Sequence, residues 1–232
     1  MRFDVVTIFP EVFEPVFRRG VVGRALQRGL LELHAHDLRD STADRHRQVD
    51  DEPFGGGAGM VMKPEPIFAA VEAIRPQNPG PVVLMEPWGE VLTQDLAREL
   101  SRQPGLIVIC GRYEGIDDRV RQELADREIS IGDYVLSGGE IPAMVLIDVV
   151  ARLLPEVLGD EASLGQDAFA GPDGGYPQYT RPAQFRGLRV PDVLLSGDHG
   201  AIERWRRDHA RTTGRAARKV SPAHRGQSDE RH

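Results

Sequence analysis

The sequence predicts an α/β fold built on a mainly parallel sheet, and three observations carry that prediction. Short apolar runs rich in Val and Ile recur at Phe3–Phe9, Val82–Met85 and Leu106–Cys110. Segments with helical apolar spacing separate them, and glycine-dense loops follow several of the runs. Strands that alternate with helices need crossover connections, and helices on both faces explain why the strands read as near-continuous apolar runs. In chain order, the β-branched run Phe3–Phe9 is closed by Pro10, and Pro15–Gly29 carries Val16, Val21, Val22, Ala25 and Leu26 at helical spacing. Leu31–Leu38 alternates Leu31, Leu33 and Ala35 with Glu32, His34 and His36, the pattern of a half-buried strand.

Ser41–Met62 is polar and then glycine-rich, which predicts a long loop. A helix follows at Pro66–Ile74, then the strand Val82–Met85, a helix from a Thr93 cap to Leu100, and the strand Leu106–Cys110. Asp117–Ala125 reads as a short helix and Ile129–Ile131 as a brief strand. The loop Gly132–Gly139 precedes a strongly apolar helix, Glu140–Leu154, that Pro155 helps to stop. These elements form a main domain over residues 1–159. Residues 160–182, rich in Gly, Asp, Ala and Pro, read as a flexible linker, and 183–232 as a small helical domain with a frayed tail.

Composition narrows the function classes. With 40% hydrophobic and 28% charged residues the chain is neither disordered nor a coiled coil. A net charge of −7 means that any nucleic-acid site must be local. The single cysteine, Cys110, excludes an intrachain disulfide and a CxxC metal knuckle, and points to a reducing compartment. No run approaches the roughly 20 apolar residues of a membrane helix, and the acid in MRFDVVTIF interrupts any signal peptide, so a cytoplasmic protein without a membrane partner is expected.

Three glycine-dense loops, Glu86–Gly89, Gly111–Asp117 and Gly132–Gly139, end or follow predicted strands. Ligands of open α/β sheets bind beyond the carboxyl ends of the strands, so the three together predict one small-molecule pocket. None fits GxGxxG or a phosphate-cradling P-loop. Asp50–Met60 sets three acids before a glycine-rich stretch, a composition that serves equally as a loop folding over a ligand or as a solvated surface loop. His34, His36 and His46 lack helical metal-pair spacing and read as surface or hydrogen-bonded histidines. Tyr176–Pro182 combines two aromatics and an arginine, suited either to stacking on RNA or to a packed proline-rich turn. From Arg204 to Lys219 stand seven basic residues against one acid, Asp208, the best local candidate for a nucleic-acid face.

Along nearly its whole length the chain resembles the bacterial tRNA (guanine37-N1)-methyltransferases of the SPOUT class. The segments that carry the resemblance are FDVVTIFPEVF, VDDEPFGGGAGMVMKPEPI, CGRYEGIDDRV, EISIGDYVLSGGEIPAMVLIDVVARLLPEVLG, YPQYTRP and VPDVLLSGDHGAIERWRR. It implies a deep trefoil knot in the main domain, a homodimer with sites completed across the twofold, tRNA as substrate and S-adenosylmethionine as methyl donor. The cofactor pocket it implies uses Leu84, Met85, Glu86, Pro87, Gly111, Tyr113, Glu114, Gly115, Ile131, Gly132, Tyr134, Leu136, Gly138 and Gly139. It further links Glu114 with a magnesium ion, and assigns tRNA to the C-terminal domain, where Arg206, Arg207 and Arg211 are the basic side chains to carry it.

Guanine N1 carries a proton at neutral pH, so its lone pair becomes available only as a general base removes that proton. By resemblance the base is Asp167, in Asp167-Ala-Phe169, and Arg152 holds the guanine O6. Arginine's planar fork suits that acceptor. Gly175 stands where the family pattern has a carboxylate, and Asp173, in the Gly-Pro-Asp-Gly run, is the competing base. The alternatives are a SPOUT-type enzyme with another RNA target and a tRNA-binding protein without catalysis, and retention of Asp167 and Arg152 speaks against the latter.

Overall fold

The apolar runs pair side by side. In a computed structural model, which describes residues 1–158 and 175–210, β1 (Arg2–Thr7), β2 (Glu32–Asp37), β5 (Val82–Val91), β6 (Gly105–Cys110) and β7 (Arg127–Ser130) form one sheet of order β2-β1-β6-β5-β7. Every pairing in it is parallel. Val5 lies opposite Ala35 on one side and Val108 on the other. Because side chains alternate across a strand, Phe3, Val5, Val83, Met85, Leu106 and Val108 enter one core with α1 (Phe13–Phe17), α2 (Gly20–Gln27), α4 (Gln94–Leu100) and α6 (Glu140–Ala151). Val6, Val82, Leu84, Ile107 and Ile109 enter the other with α3 (Pro64–Ile74) and α5 (Asp118–Glu123). All six residues of β6 are buried, as a central strand covered on both faces requires.

Several boundaries differ from the sequence reading. The helix expected over Pro15–Gly29 is split, because Gly20, where α2 begins, takes a φ of 75°. The loop Ser41–Met62 holds a short antiparallel pair, β3 (Asp50–Asp51) with β4 (Val61–Met62). The strand expected to stop at Met85 continues to Val91, and both Met85 and Glu90 register against Ile129. The intervening residues therefore bulge out of the sheet. Thr93 caps α4 as expected, its hydroxyl accepting from the Leu96 amide at 3.2 Å. α6 ends at Ala151, one turn short of Leu154.

The chain divides into two compact units, Met1–Gly159 and Asp160–His232. In the second, α7 (Asp192–Leu195) and α8 (His199–Asp208) follow an element that the helical expectation lacked, the hairpin β8 (Gln184–Phe185) and β9 (Leu188–Arg189). Its turn residues Arg186 and Gly187 take φ of 51° and 82°, the two positive values that a tight two-residue hairpin turn demands. The Asp198 carboxylate caps α8 by accepting from the Ala201 amide at 3.0 Å.

At the amino end of the sheet Asp4 is fully buried. It accepts from Arg2 Nε at 2.7 Å and Asn78 Nδ2 at 2.8 Å, and pairs with His36 Nε2 at 2.7 Å. Burial pushes its carboxyl up, but the hydrogen bonds from His36, Arg2 and Asn78 outweigh burial and hold it well below the usual carboxylate range. A depressed pKa gives stability that is present above the unfolded-state pKa and is lost as pH falls through the folded one. Asp4→Asn is expected to cost about 1–3 kcal/mol near neutral pH. Thermal unfolding from pH 7 downward should show the gap to wild type narrowing below the ordinary carboxylate range.

Candidate active site

The carboxyl ends of β5, β6 and β7 open into a cavity of about 690 Å³, within the ordinary range for a small-molecule site. Its walls are the three loops singled out in the sequence: the bulge of β5, the segment 111–117 after β6 and the segment 131–139 after β7. Met85, Glu86, Pro87, Gly111, Tyr113, Glu114, Gly115, Ile131, Gly132, Tyr134, Leu136, Gly138 and Gly139 all line it. Leu84 does not. Its side chain points to the opposite face of the sheet and is buried with Val6 and Ile109, since neighbours on a strand face opposite ways.

The loops are stitched together by backbone. The Gly139 amide donates to Gly111 O at 2.8 Å, and a Cβ on Gly139 would lie 2.7 Å from Cys110 Cα. Gly139 is therefore glycine because two loops of the protein touch there. A Cβ on Gly111 would meet nothing nearer than Ile116 Cδ1 at 3.4 Å. The glycine-rich segment also joins the wall: Glu114 N donates to Met60 O at 3.0 Å, Met62 N to Gly115 O at 2.9 Å, and Glu114 fills the space beside Gly59. Tyr113 stands in the left-handed region with a φ of 59°. The Tyr134 hydroxyl donates to Ile131 O at 3.2 Å.

The wall also holds Trp88, Arg112 and Asp133, which lie in the three predicted loops but not among the cofactor residues that the resemblance names. Trp88 is 91% exposed because the β5 bulge carries it out of the sheet. Arg112 pairs with the buried Glu140, Nε to Oε2 at 2.8 Å, while Thr7 Oγ1 donates to Oε1 at 2.7 Å. Burial, then the charge of Glu128, raises the Glu86 carboxyl above its usual range. Burial likewise lifts the Cys110 thiol well above its ordinary value, which keeps it unreactive.

The cavity wall thus carries the acids Glu86, Glu114 and Asp133 against one arginine that Glu140 already engages. That balance suits a cationic small molecule such as S-adenosylmethionine, whose sulfonium and ammonium are both positive. A metal is a poorer fit, because no group of three or more His, Cys, Asp or Glu among the described residues could hold one.

Of the two residues expected to be catalytic, Arg152 is the C-cap of α6, whereas the cavity lies at that helix's other end. Thirteen residues at 1.5 Å each separate it from Gly139 by about 20 Å. Asp167, its competitor Asp173 and Arg211 lie outside the described residues. In the C-terminal unit Tyr176–Arg181, Trp205 and Arg206 line a separate cavity of about 390 Å³. There the Arg206 guanidinium stacks on Tyr176, 4.8 Å from the ring centre, while Arg207 is exposed.

Comparison with known proteins gives concordant findings. The family model described as tRNA (Guanine-1)-methyltransferase TrmD matches residues 1–220. A tRNA (guanine-N(1)-)-methyltransferase of Synechococcus sp. (strain JA-2-3B'a(2-13)) is 55% identical over 206 residues, covering 89% of this chain and 82% of the relative. One from Heliobacterium modesticaldum is 56% identical over 216 residues, 90% of this chain and 80% of the relative. The crystal structure of tRNA (m1G37) methyltransferase from Aquifex aeolicus superposes with a TM-score of 0.76 at 43% identity, covering 95% of this chain and 91% of that one.

Proposed function

The chain belongs to the tRNA (guanine-N1)-methyltransferase family, and from that premise we propose that it transfers a methyl group from S-adenosylmethionine to N1 of guanine 37 in tRNA. The observation that carries the reading is the acid-walled cavity at the ends of β5, β6 and β7, in a chain matched by the family over residues 1–220. S-adenosylmethionine supplies the electrophilic methyl group together with its own leaving group. Asp167 removes the N1 proton of guanine, and Arg152 donates to O6 and stabilises the charge that the base then carries. Incubating the protein with unmodified tRNA and methyl-labelled S-adenosylmethionine, then mapping the modified nucleotide, tests this directly. Label at a nucleotide other than guanine 37 would assign a different RNA target.

The enzyme acts as a homodimer in this reading. On α6, Ile141 and Val145 are 58% and 38% exposed, and with Asp148 and Arg152 they follow one face at spacings of four, three and four. A second copy packed antiparallel on that stripe brings its Arg152 to the cavity end of the first helix, which the chain's own Arg152 cannot reach. The trefoil knot belongs to the same proposal. It is supported by the path of the chain, which leaves β7 at the sheet edge and returns to touch the end of β6 at Gly139. A cytoplasmic location suits a tRNA substrate, and no helix among the described residues is long and apolar enough to cross a membrane.

tRNA binding is assigned to the basic segment that begins in α8. Replacing Arg206, Arg207 and Arg211 together with Ala is expected to weaken tRNA binding and flatten its salt dependence, by a slope of up to about 0.9 for each phosphate that is no longer neutralised. Cofactor affinity should not change. Titration of labelled tRNA from 50 to 200 mM salt, a span over which roughly 10³-fold changes arise for a protein that neutralises several phosphates, checks this.

A further inference from the structure

One ion pair beside the cavity is unusual in its burial. Glu140, the first residue of α6, is only 2% exposed, yet its carboxylate is fully engaged, by Thr7 Oγ1 at 2.7 Å and by Arg112 Nε at 2.8 Å. The same guanidinium reaches back into the glycine loop, Arg112 Nη1 donating to Ser137 O at 3.1 Å. Its plane lies over the Phe9 ring, 4.7 Å from the centre. A Cβ on Gly138 would collide with the Arg112 side chain. One side chain thus joins the ends of β1 and β6, the start of α6 and the last turn of the 131–139 loop.

We infer that Arg112 is a positioning residue for the cofactor: acting through Glu140 and Ser137, it fixes the Ser137–Gly139 backbone that lines the cavity. This rests on assigning that cavity to S-adenosylmethionine. The physical reason is the fork. Arginine presents Nε and Nη1 in a rigid plane, so a single rotamer satisfies a buried carboxylate and a loop carbonyl together. A loop with two consecutive glycines has little stiffness of its own, and without the clamp the cofactor would have to order it on binding. Gly138 is glycine in this account because the guanidinium stem occupies the place of its Cβ.

The test uses the full chain, with calorimetric titration of S-adenosylmethionine, steady-state kinetics with tRNA, and thermal unfolding. Arg112→Lys keeps the charge beside Glu140 but loses the fork. It is expected to raise the Kd and the KM for S-adenosylmethionine by about tenfold or more, with kcat at saturating cofactor within about threefold and the KM for tRNA unchanged. A role confined to stability would lower the melting temperature without that split. Gly138→Ala, which displaces Arg112, should weaken cofactor binding in the wild-type background. Added to Arg112→Ala it should change the Kd by less than about twofold, because the clash is gone. Should Arg112→Lys not fold, the Gly138→Ala measurement and its pairing with Arg112→Ala carry the test. Unchanged cofactor affinity in Arg112→Lys, or strictly additive effects in the pair, would overturn the inference while leaving the cavity assignment standing. A wild-type chain that binds no S-adenosylmethionine would overturn the assignment and the inference together.

Discussion

Asp167→Asn is expected to slow single-turnover methyl transfer to tRNA by a factor on the order of 10²–10⁴, the range over which a positioned general base acts. Asparagine keeps the size and much of the hydrogen bonding of aspartate but cannot accept the N1 proton. The dissociation constants for S-adenosylmethionine and tRNA should hold steady, because the proton moves only in the transition state. Raising the pH should recover part of the rate as guanine loses its proton to solvent, and this partial rescue separates a missing base from a misfolded site. Asp173 is the control carboxylate. A near-normal rate in Asp167→Asn, with collapse in Asp173→Asn, would move the base to the altered Gly-Pro-Asp-Gly run.

Mixing two inactive variants is expected to restore activity from almost nothing to about one quarter of wild type, if each site is completed across a twofold axis. Arg152→Ala removes the side chain proposed to donate to O6, at the far end of α6. Gly139→Val forces the 131–139 loop off Cys110, whose Cα would stand 2.7 Å from the first added carbon, and so spoils the cofactor cavity. Either homodimer should be inactive. Refolded together at equal concentration, half of the dimers carry one of each chain, and in those dimers one of the two sites escapes both lesions. Methyl transfer by the mixture, set against each variant alone, reads the result. No recovery from a mixture in which heterodimers are shown to form would place Arg152 and the cavity of one chain in the same site, against the roughly 20 Å that the helix puts between them.

The strands were legible in the sequence for a plain reason. A run such as Gly105–Cys110, apolar throughout, is stable only when covered on both faces, and it lies at the middle of the parallel sheet. The three glycine-dense loops were legible for the same kind of reason, since glycine clusters after strands mark places where backbones approach closely. Leu84 shows where that reasoning ran short: a resemblance by segment takes in neighbours alike, whereas the pleat sends Met85 to the cavity and Leu84 to the other core. The hairpin Gln184–Arg189 was missed because two-residue strands leave no periodicity to detect.

By itself the sequence determined the class of fold, the loops that wall the crevice and the kind of chemistry, because these follow from local pattern and from residue types in long matching segments. Only the tertiary structure decided which side chains share that crevice and what each neighbour is for. Thr7, Arg112 and Glu140 are separated by 105 and 28 residues, and nothing local to any of them announces a buried pair. Likewise the sequence names Gly139 only as one of the pocket residues, and the packed chain shows it kept small for Cys110. Hydrophobic periodicity is a property of consecutive residues and survives in the sequence. The pair of Arg112 with Glu140 exists only once the sheet has set its order, β6 beside β1, and the start of α6 has brought the buried carboxylate against both strand ends.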